Sequence, residues 1–178
     1  MVKRKNFQKT IDISVIICYN IDTVKERKLI PLEKILNFDM DGTFVDLYGV
    51  DNWLDDLTNS RTRPYEIAKP LVNLSKLAYY MNKAQKLGYL IKIVTKTSRS
   101  GNAEYHERIK VAKLNWLAKH LKSVNFDDII VIPYTTEKQT VSEGYLFDDE
   151  QGNREKWGDG AYTEKEMFDM LKELTKNG

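Results

Sequence analysis

Residues 35–43, ILNFDMDGT, limit what this chain can fold into more than any other stretch. A short apolar run, Ile35-Leu36-Asn37-Phe38, leads directly into Asp39, Asp41 and Gly42. A run of that length closed by glycine reads as a buried strand of a parallel sheet entering a tight turn. Side chains two apart on an extended chain share a face, so Asp39 and Asp41 project together from the strand's carboxyl end. In open α/β sheets that edge is where ligands bind. Two carboxylates so close repel unless something positive lies between them, and a divalent metal is the usual answer. Gly42 permits the sharp turn, and the Thr43 hydroxyl can bond back to it. Asp, Gly and Thr are also ordinary turn residues, so the weight of the reading falls on partners downstream.

Beyond residue 34 strands alternate with helices. Pro70 suits a first helical turn, and Leu71, Leu74, Leu77, Ala78, Met81, Ala84 and Leu87 follow at helical spacing, with Gly88 to close the helix. Residues 89–94 are the next strand, ending in the hydroxyl-rich turn Thr95-Lys96-Thr97-Ser98. A helix over 103–121 turns Tyr105, Ile109, Ala112, Trp116 and Leu121 inward. Residues 128–133 form a third strand, and the loop 134–142 carries Lys138. Residues 144–147 form a fourth strand, which ends in Asp148-Asp149. A loop with Trp157 and Gly160, a short strand at 161–162 and a helix from Thr163 complete the chain; Thr163 and Glu166 have capping-box spacing. This order implies a three-layer, Rossmann-like α/β fold, a parallel sheet between helices. Residues 44–57 mix Phe44, Tyr48 and Trp53 with acids and suit an aromatic flap over a pocket; the plainer alternative is a short helix docked through Trp53 and Leu54. Residues 59–69 read as a polar connection.

The 178 residues, 42% apolar and 30% charged, suggest one globular domain over 35–178. An extension over 1–34 precedes it, with an added strand or hairpin drawn from 13–19 and 28–30. A net charge of +2 gives no argument for nucleic acid, and Val2-Lys3-Arg4-Lys5 reads as a solvated basic tail. The single cysteine, Cys18, excludes an internal disulfide and fits a reducing compartment. With only two histidines beside it, a closed Cys/His zinc site is not expected. No run approaches the ~20 apolar residues of a membrane span. The expectation is a cytoplasmic protein with no membrane contact.

Four chemically capable groups follow four separate strands: Asp39 with Asp41, Thr95, Lys138, and Asp148 with Asp149. A parallel sheet places all its strand ends on one edge, so these groups converge. Their order resembles the haloacid dehalogenase-like superfamily of phosphohydrolases, over residue 35 to the C-terminus. Asp39 and Asp41 match its D-x-D-G-T motif, Thr95 its hydroxyl motif, Lys138 its lysine motif and Asp148-Asp149 its acidic motif. The L-F-D-D ending and the W-L-x-x-H-L helix look similar to deoxyribonucleotidase-type members and to small phage or bacterial relatives. The resemblance implies a Mg²⁺-dependent phosphoric monoester hydrolase. Asp39 would be the nucleophile, forming an aspartyl-phosphate, and Asp41 the general acid and base. Mg²⁺ would be held by Asp39, the Asp41 carbonyl and the acidic pair, with Asp149 the expected ligand and Asp148 the alternative. Thr95 would hold a phosphoryl oxygen, with Thr97 and Ser98 as substitutes, and Lys113 competes with Lys138. Lys96, Tyr48 and Trp53 are the further substrate contacts expected. Asn153 and Arg154 lie close by but read as solvated loop. Substrates would be phosphorylated small molecules such as nucleoside monophosphates. The alternatives are a polynucleotide-end phosphatase and a non-catalytic phosphate-binding module. About thirty residues separate Thr43 from Pro70, too few for the sizeable cap common in that superfamily. A receiver domain also clusters acids, a Thr and a Lys at strand ends, but in the reverse order.

Overall fold

Phe38 and its neighbours are apolar because they lie in the middle of a sheet. In the computed structural model, which describes residues 34–176, strand β1 (Ile35–Phe38) is buried along its whole length. It runs parallel to β4 (Leu90–Lys96) on one side and to β6 (Tyr145–Phe147) on the other. Beyond these lie β5 (Asp128–Ile132) and β7 (Ala161–Tyr162), giving the order β5-β4-β1-β6-β7, parallel throughout. Helices flank this five-stranded sheet, so the fold is α/β and Rossmann-like.

The strand order places the site. The chain steps outward from β1 to β4 to β5, then crosses back to β6 and continues to β7. Connections therefore leave in opposite directions from β1 and β6, which opens a crevice at their carboxyl ends. Asp39 follows β1 directly and Asp148 follows β6 directly. Phe38 and Phe147, paired in register just before these acids, stack with ring centroids 5.0 Å apart.

Between β1 and the first long helix lies an insert. Its ends are strands β2 (Val45–Asp46) and β3 (Lys69–Pro70), paired antiparallel, and it contains helices α1 (Trp53–Thr58) and α2 (Arg63–Ile67). The segment expected as an irregular flap is thus a strand and a short helix. Helix α3 is Leu74–Lys86. Pro70, expected in its first turn, instead ends β3. Proline lacks the N–H that a strand interior needs, and a two-residue edge ribbon tolerates it. Asn73 caps α3, its side chain accepting from the Lys76 amide at 2.9 Å, and this signal outweighs the proline. Leu71 consequently stays half exposed.

Helix α4 (Ala103–His120) buries Tyr105, Ile109, Ala112 and Trp116 as its spacing requires. It also holds the insert in place: Trp116 Nε1 donates to the Ala68 carbonyl at 2.8 Å and the Tyr105 hydroxyl to the Arg61 carbonyl at 3.1 Å. Helix α5 (Gln151–Trp157) replaces the loop expected there. Helix α6 (Met167–Leu174) begins after a formed capping box, in which the Glu166 carboxylate accepts from the Thr163 amide at 2.9 Å. Gly88, after α3, takes the positive φ of a helix stop. The expected strand or hairpin at 1–34 lies outside the described residues, Lys34 apart. Among the described residues no helix is long and apolar enough to cross a membrane.

One polar residue sits inside the central strand. Asn37 is fully buried, donates to the carbonyls of Glu143 and Tyr145 at 2.8 and 2.9 Å, and accepts from the Ser142 hydroxyl at 2.6 Å. It fastens the approach to β6 onto β1, and so helps set Asp148 beside Asp39. Asn37→Leu removes the amide but leaves those partners unpaired. It is expected to cost about 1–3 kcal/mol of stability, measured by urea unfolding.

Candidate active site

The strand ends bring carboxylates together. Asp39, Asp148 and Asp149 each offer one oxygen, all within 4.8 Å of one another. Ionised, they carry three negative charges. Lys138, fully buried in a short 3-10 turn (Lys138–Thr140), supplies one positive charge. Its ammonium donates to Asp39 Oδ1 at 2.5 Å and to Asp148 Oδ2 at 2.6 Å. Two negative charges remain, which is the charge of one divalent cation. Three carboxylate oxygens at this spacing are the donor set that hard divalent cations take, so the cluster fits such an ion.

The electrostatics agree. Burial raises the Asp148 carboxyl, and the neighbouring Asp39 charge adds to it, against the lowering effect of Lys138. Burial, then Asp39 and Asp148, push Asp149 up to about 7. Burial works against the Lys138 ammonium, but Asp39 and Asp148 outweigh it and hold it above the ordinary lysine value. Gly42 has φ +79°, and a Cβ there would collide with the Asp149 carboxylate. The glycine is needed both for the turn and for that close approach. Thr43 is fully buried and sits against the same acid, its Oγ1 accepting from the Asp149 amide at 3.2 Å.

A second buried lysine serves Asp41. Lys113, on α4, donates to Asp41 Oδ2 at 2.5 Å and to Thr95 Oγ1 at 2.8 Å, and lies 5.3 Å from the Tyr65 ring centre. The two candidate lysines are therefore not competitors: each has its own aspartate. Burial raises the Asp41 carboxyl above its ordinary value; Lys113 opposes this and Asp39 reinforces it.

The hydroxyls are distributed differently from the expectation. Thr95 is fully buried beneath Lys113 and does not line the cavity at this edge. That cavity, of about 330 Å³, is lined by Asp39, Asp41, Lys138 and, two residues further along, Thr97 and Ser98. Thr97 is buried, and its Oγ1 has no hydrogen-bond partner among the described residues. A buried hydroxyl without a partner is costly unless a ligand supplies one. Thr97 is therefore the hydroxyl left without a partner beside the cavity, while Thr95 accepts from Lys113.

The remaining expected contacts divide. Lys96, Tyr48 and Trp53 all line the cavity, the two rings edge to face at 5.1 Å. The Lys96 ammonium also donates to Asn153 Oδ1 at 2.8 Å. Asn153, expected in a solvated loop, is buried in the first turn of α5, and its amide donates to both Asp148 oxygens at 3.2 and 3.1 Å. Arg154 donates to the carbonyls of Asp148 and Asp149 at 2.8 and 2.6 Å. Sequence reasoning also missed Tyr65, Arg99 and Tyr134, which line the cavity. Tyr65 had a signal in Pro64, which starts a helix inside what read as a polar connection.

The sequence matches no protein-family model. A stretch of 75 residues, 42% of the chain, is 33% identical to part of the DNA-directed RNA polymerase subunit beta' of Corynebacterium aurimucosum. The match spans 5% of that protein's length, and it defines neither a family nor a site.

A divalent cation binds Asp149 only in its ionised form, so binding expels a proton below about pH 7. Affinity for Mg²⁺ or Mn²⁺ is expected to fall about tenfold per pH unit on the acid side of that value and to level off above it. Calorimetric titration between pH 5.5 and 8.5 reads this directly. The sign for stability is opposite in the metal-free protein. Raised carboxyls hold protons in the folded state that the unfolded chain releases. Stability should thus decline as pH rises from the ordinary 3.8 towards about 7, and added cation should restore it.

Proposed function

We propose that the protein is a Mg²⁺-dependent phosphatase of the haloacid dehalogenase-like type, hydrolysing a phosphoric monoester of a nucleotide-like small molecule through an aspartyl-phosphate. The observation that carries this reading is the joint placement of Asp39, Asp148 and Asp149 within 4.8 Å around one edge, with Lys138 bridging the first two. A structural ion pair needs no third carboxylate, and a turn needs no buried lysine.

Lys138 takes up Asp39 Oδ1, and no hydrogen bond among the described residues engages Oδ2. Oδ2 is the attacking atom. It forms a bond to phosphorus as the ester P–O bond breaks, and Asp41 gives its proton to the departing oxygen. The raised Asp41 carboxyl suits it to carry that proton. Water then attacks the phosphorus of the aspartyl-phosphate, Asp41 takes the water's proton, and phosphate leaves with Asp39 restored. The Thr97 hydroxyl and the Lys138 ammonium hold phosphoryl oxygens as charge gathers on them. Asp39, Asp149 and the Asp41 carbonyl would hold the Mg²⁺, which would supply positive charge to offset the repulsion between carboxylate and phosphate. Asp148, engaged by Lys138 and Asn153, positions the lysine. The aromatic wall of Tyr48, Trp53 and Tyr65 receives the organic part of the substrate.

Purified protein with Mg²⁺ is expected to hydrolyse an aryl phosphate, and Asp39→Asn to lower kcat by about a thousandfold or more, the scale set by loss of a covalent nucleophile. Binding of phosphate or nucleotide without turnover by any phosphoester would instead mean a non-catalytic module. A second measurement separates the two threonines. Thr97→Val should raise KM and lower kcat/KM by about tenfold or more, the value of one hydrogen bond to a charged group. Thr95→Val should act chiefly through Asp41 and appear in the alkaline limb of the kcat/KM pH profile, where the general acid loses its proton.

A further inference from the structure

The cavity extends past the groups that the phosphatase reading uses. Its lining includes Arg99 and Tyr134, and Arg99 forms no ion pair among the described residues. Its guanidinium lies 4.9 Å from the Tyr134 ring centre, and the Lys96 ammonium lies 5.4 Å from the same ring. Stacking on a ring fixes the guanidinium plane while leaving its N–H groups free to donate. A planar, unpaired guanidinium stacked on a ring is a group well suited to grip a phosphoryl oxygen pair.

The position matters as much as the chemistry. Arg99 is two residues past Thr97, so its Cα lies no more than ~7 Å from that of the threonine. On the phosphatase reading, the unpartnered Thr97 hydroxyl would hold an oxygen of the first phosphoryl group. Arg99 therefore serves a second anion next to the first, on the same ligand. Tyr48 and Trp53, with Leu54 and Leu57, form the apolar part of the same cavity, suited to a flat ring.

Resting on the phosphatase reading for the scissile group, we infer that the substrate is a nucleotide bearing a second phosphoryl group beside the one removed, gripped by Arg99 on Tyr134. Two sources share that chemistry: a nucleoside 3',5'-bisphosphate, and the phosphorylated end of a polynucleotide, where the neighbour is a phosphodiester. Lys96 spends one of its donors on Asn153, whereas none of the donors of the Arg99 guanidinium is engaged by an ion pair among the described residues, so Arg99 carries the discrimination.

The test is binding with Ca²⁺, a larger oxygen-ligated dication, in place of Mg²⁺, so that the acids are neutralised and the readout is affinity rather than turnover. Wild type and Arg99→Gln are titrated with adenosine 5'-monophosphate, adenosine 3',5'-bisphosphate and a 5'-phosphorylated dinucleotide, followed by tryptophan fluorescence and calorimetry. The wild type should bind the latter two at least tenfold more tightly than the monophosphate, and Arg99→Gln should bring all three within about twofold. A further gain for the dinucleotide over the bisphosphate identifies a polynucleotide end as the source; equal gains identify the bisphosphate chemistry alone. Equal affinity of the wild type for all three overturns the inference, as does an Arg99→Gln that weakens all three alike. Selective binding with no hydrolysis once Mg²⁺ replaces Ca²⁺ would defeat the phosphatase reading and leave the subsite standing. Arg99 is exposed, so its replacement does not threaten folding.

Discussion

Two carboxylates and one ammonium, all taken out of water, hold the two halves of this sheet together at its working edge. Lys138 reaches Asp39 after β1 and Asp148 after β6, strands that neighbour each other although 99 and 10 residues separate these acids from the lysine in sequence. Removing one member of such a buried set costs about 3–5 kcal/mol, because the rest are left unpaired. Counted as ionised groups, the arrangement is still short of positive charge once Asp149 is included.

The same logic recurs one layer away. Lys113 pairs with Asp41, and its contacts with Thr95 and Tyr65 fix it from two further sides. The chain therefore gives each lysine its own partners: Lys138 bridges Asp39 and Asp148, and Lys113 pairs with Asp41. Asn153 joins the two outer features, bonding Asp148 on one side and Lys96 on the other. The acids and the basic rim of the cavity are thus one connected polar network.

The sheet was legible because its strands are apolar runs bounded by clear turn residues, and Asp39, Asp41, Asp148 and Asp149 because each closes such a run. Sequence could not assign the hydroxyl. Thr95 and Thr97 differ by two positions and face the same way on an extended chain, so only the depth of β4 distinguishes them. Strand β4 runs through Lys96, which leaves Thr95 inside the sheet and lifts Thr97 into the cavity. Pro70 misled because a proline suits an edge ribbon as well as a helix start. Asn153 and Tyr65 were hidden because their neighbours are polar, and polarity reads as solvent exposure until tertiary contacts bury it. Whether an arginine at the rim meets a ligand depends on Tyr134, a residue on another strand's loop that no local pattern connects to it.

The β2–β3 ribbon closes the insert at its base, with the Leu71 amide donating to the Phe44 carbonyl at 2.9 Å just beyond the paired residues. Whatever lies between those strands starts and finishes at one place, so its length costs the sheet little, since closure entropy grows only slowly with loop size. The insert is nevertheless no free appendage: Tyr65 on α2 lies against Lys113, so the cover and the acid beneath it share one support.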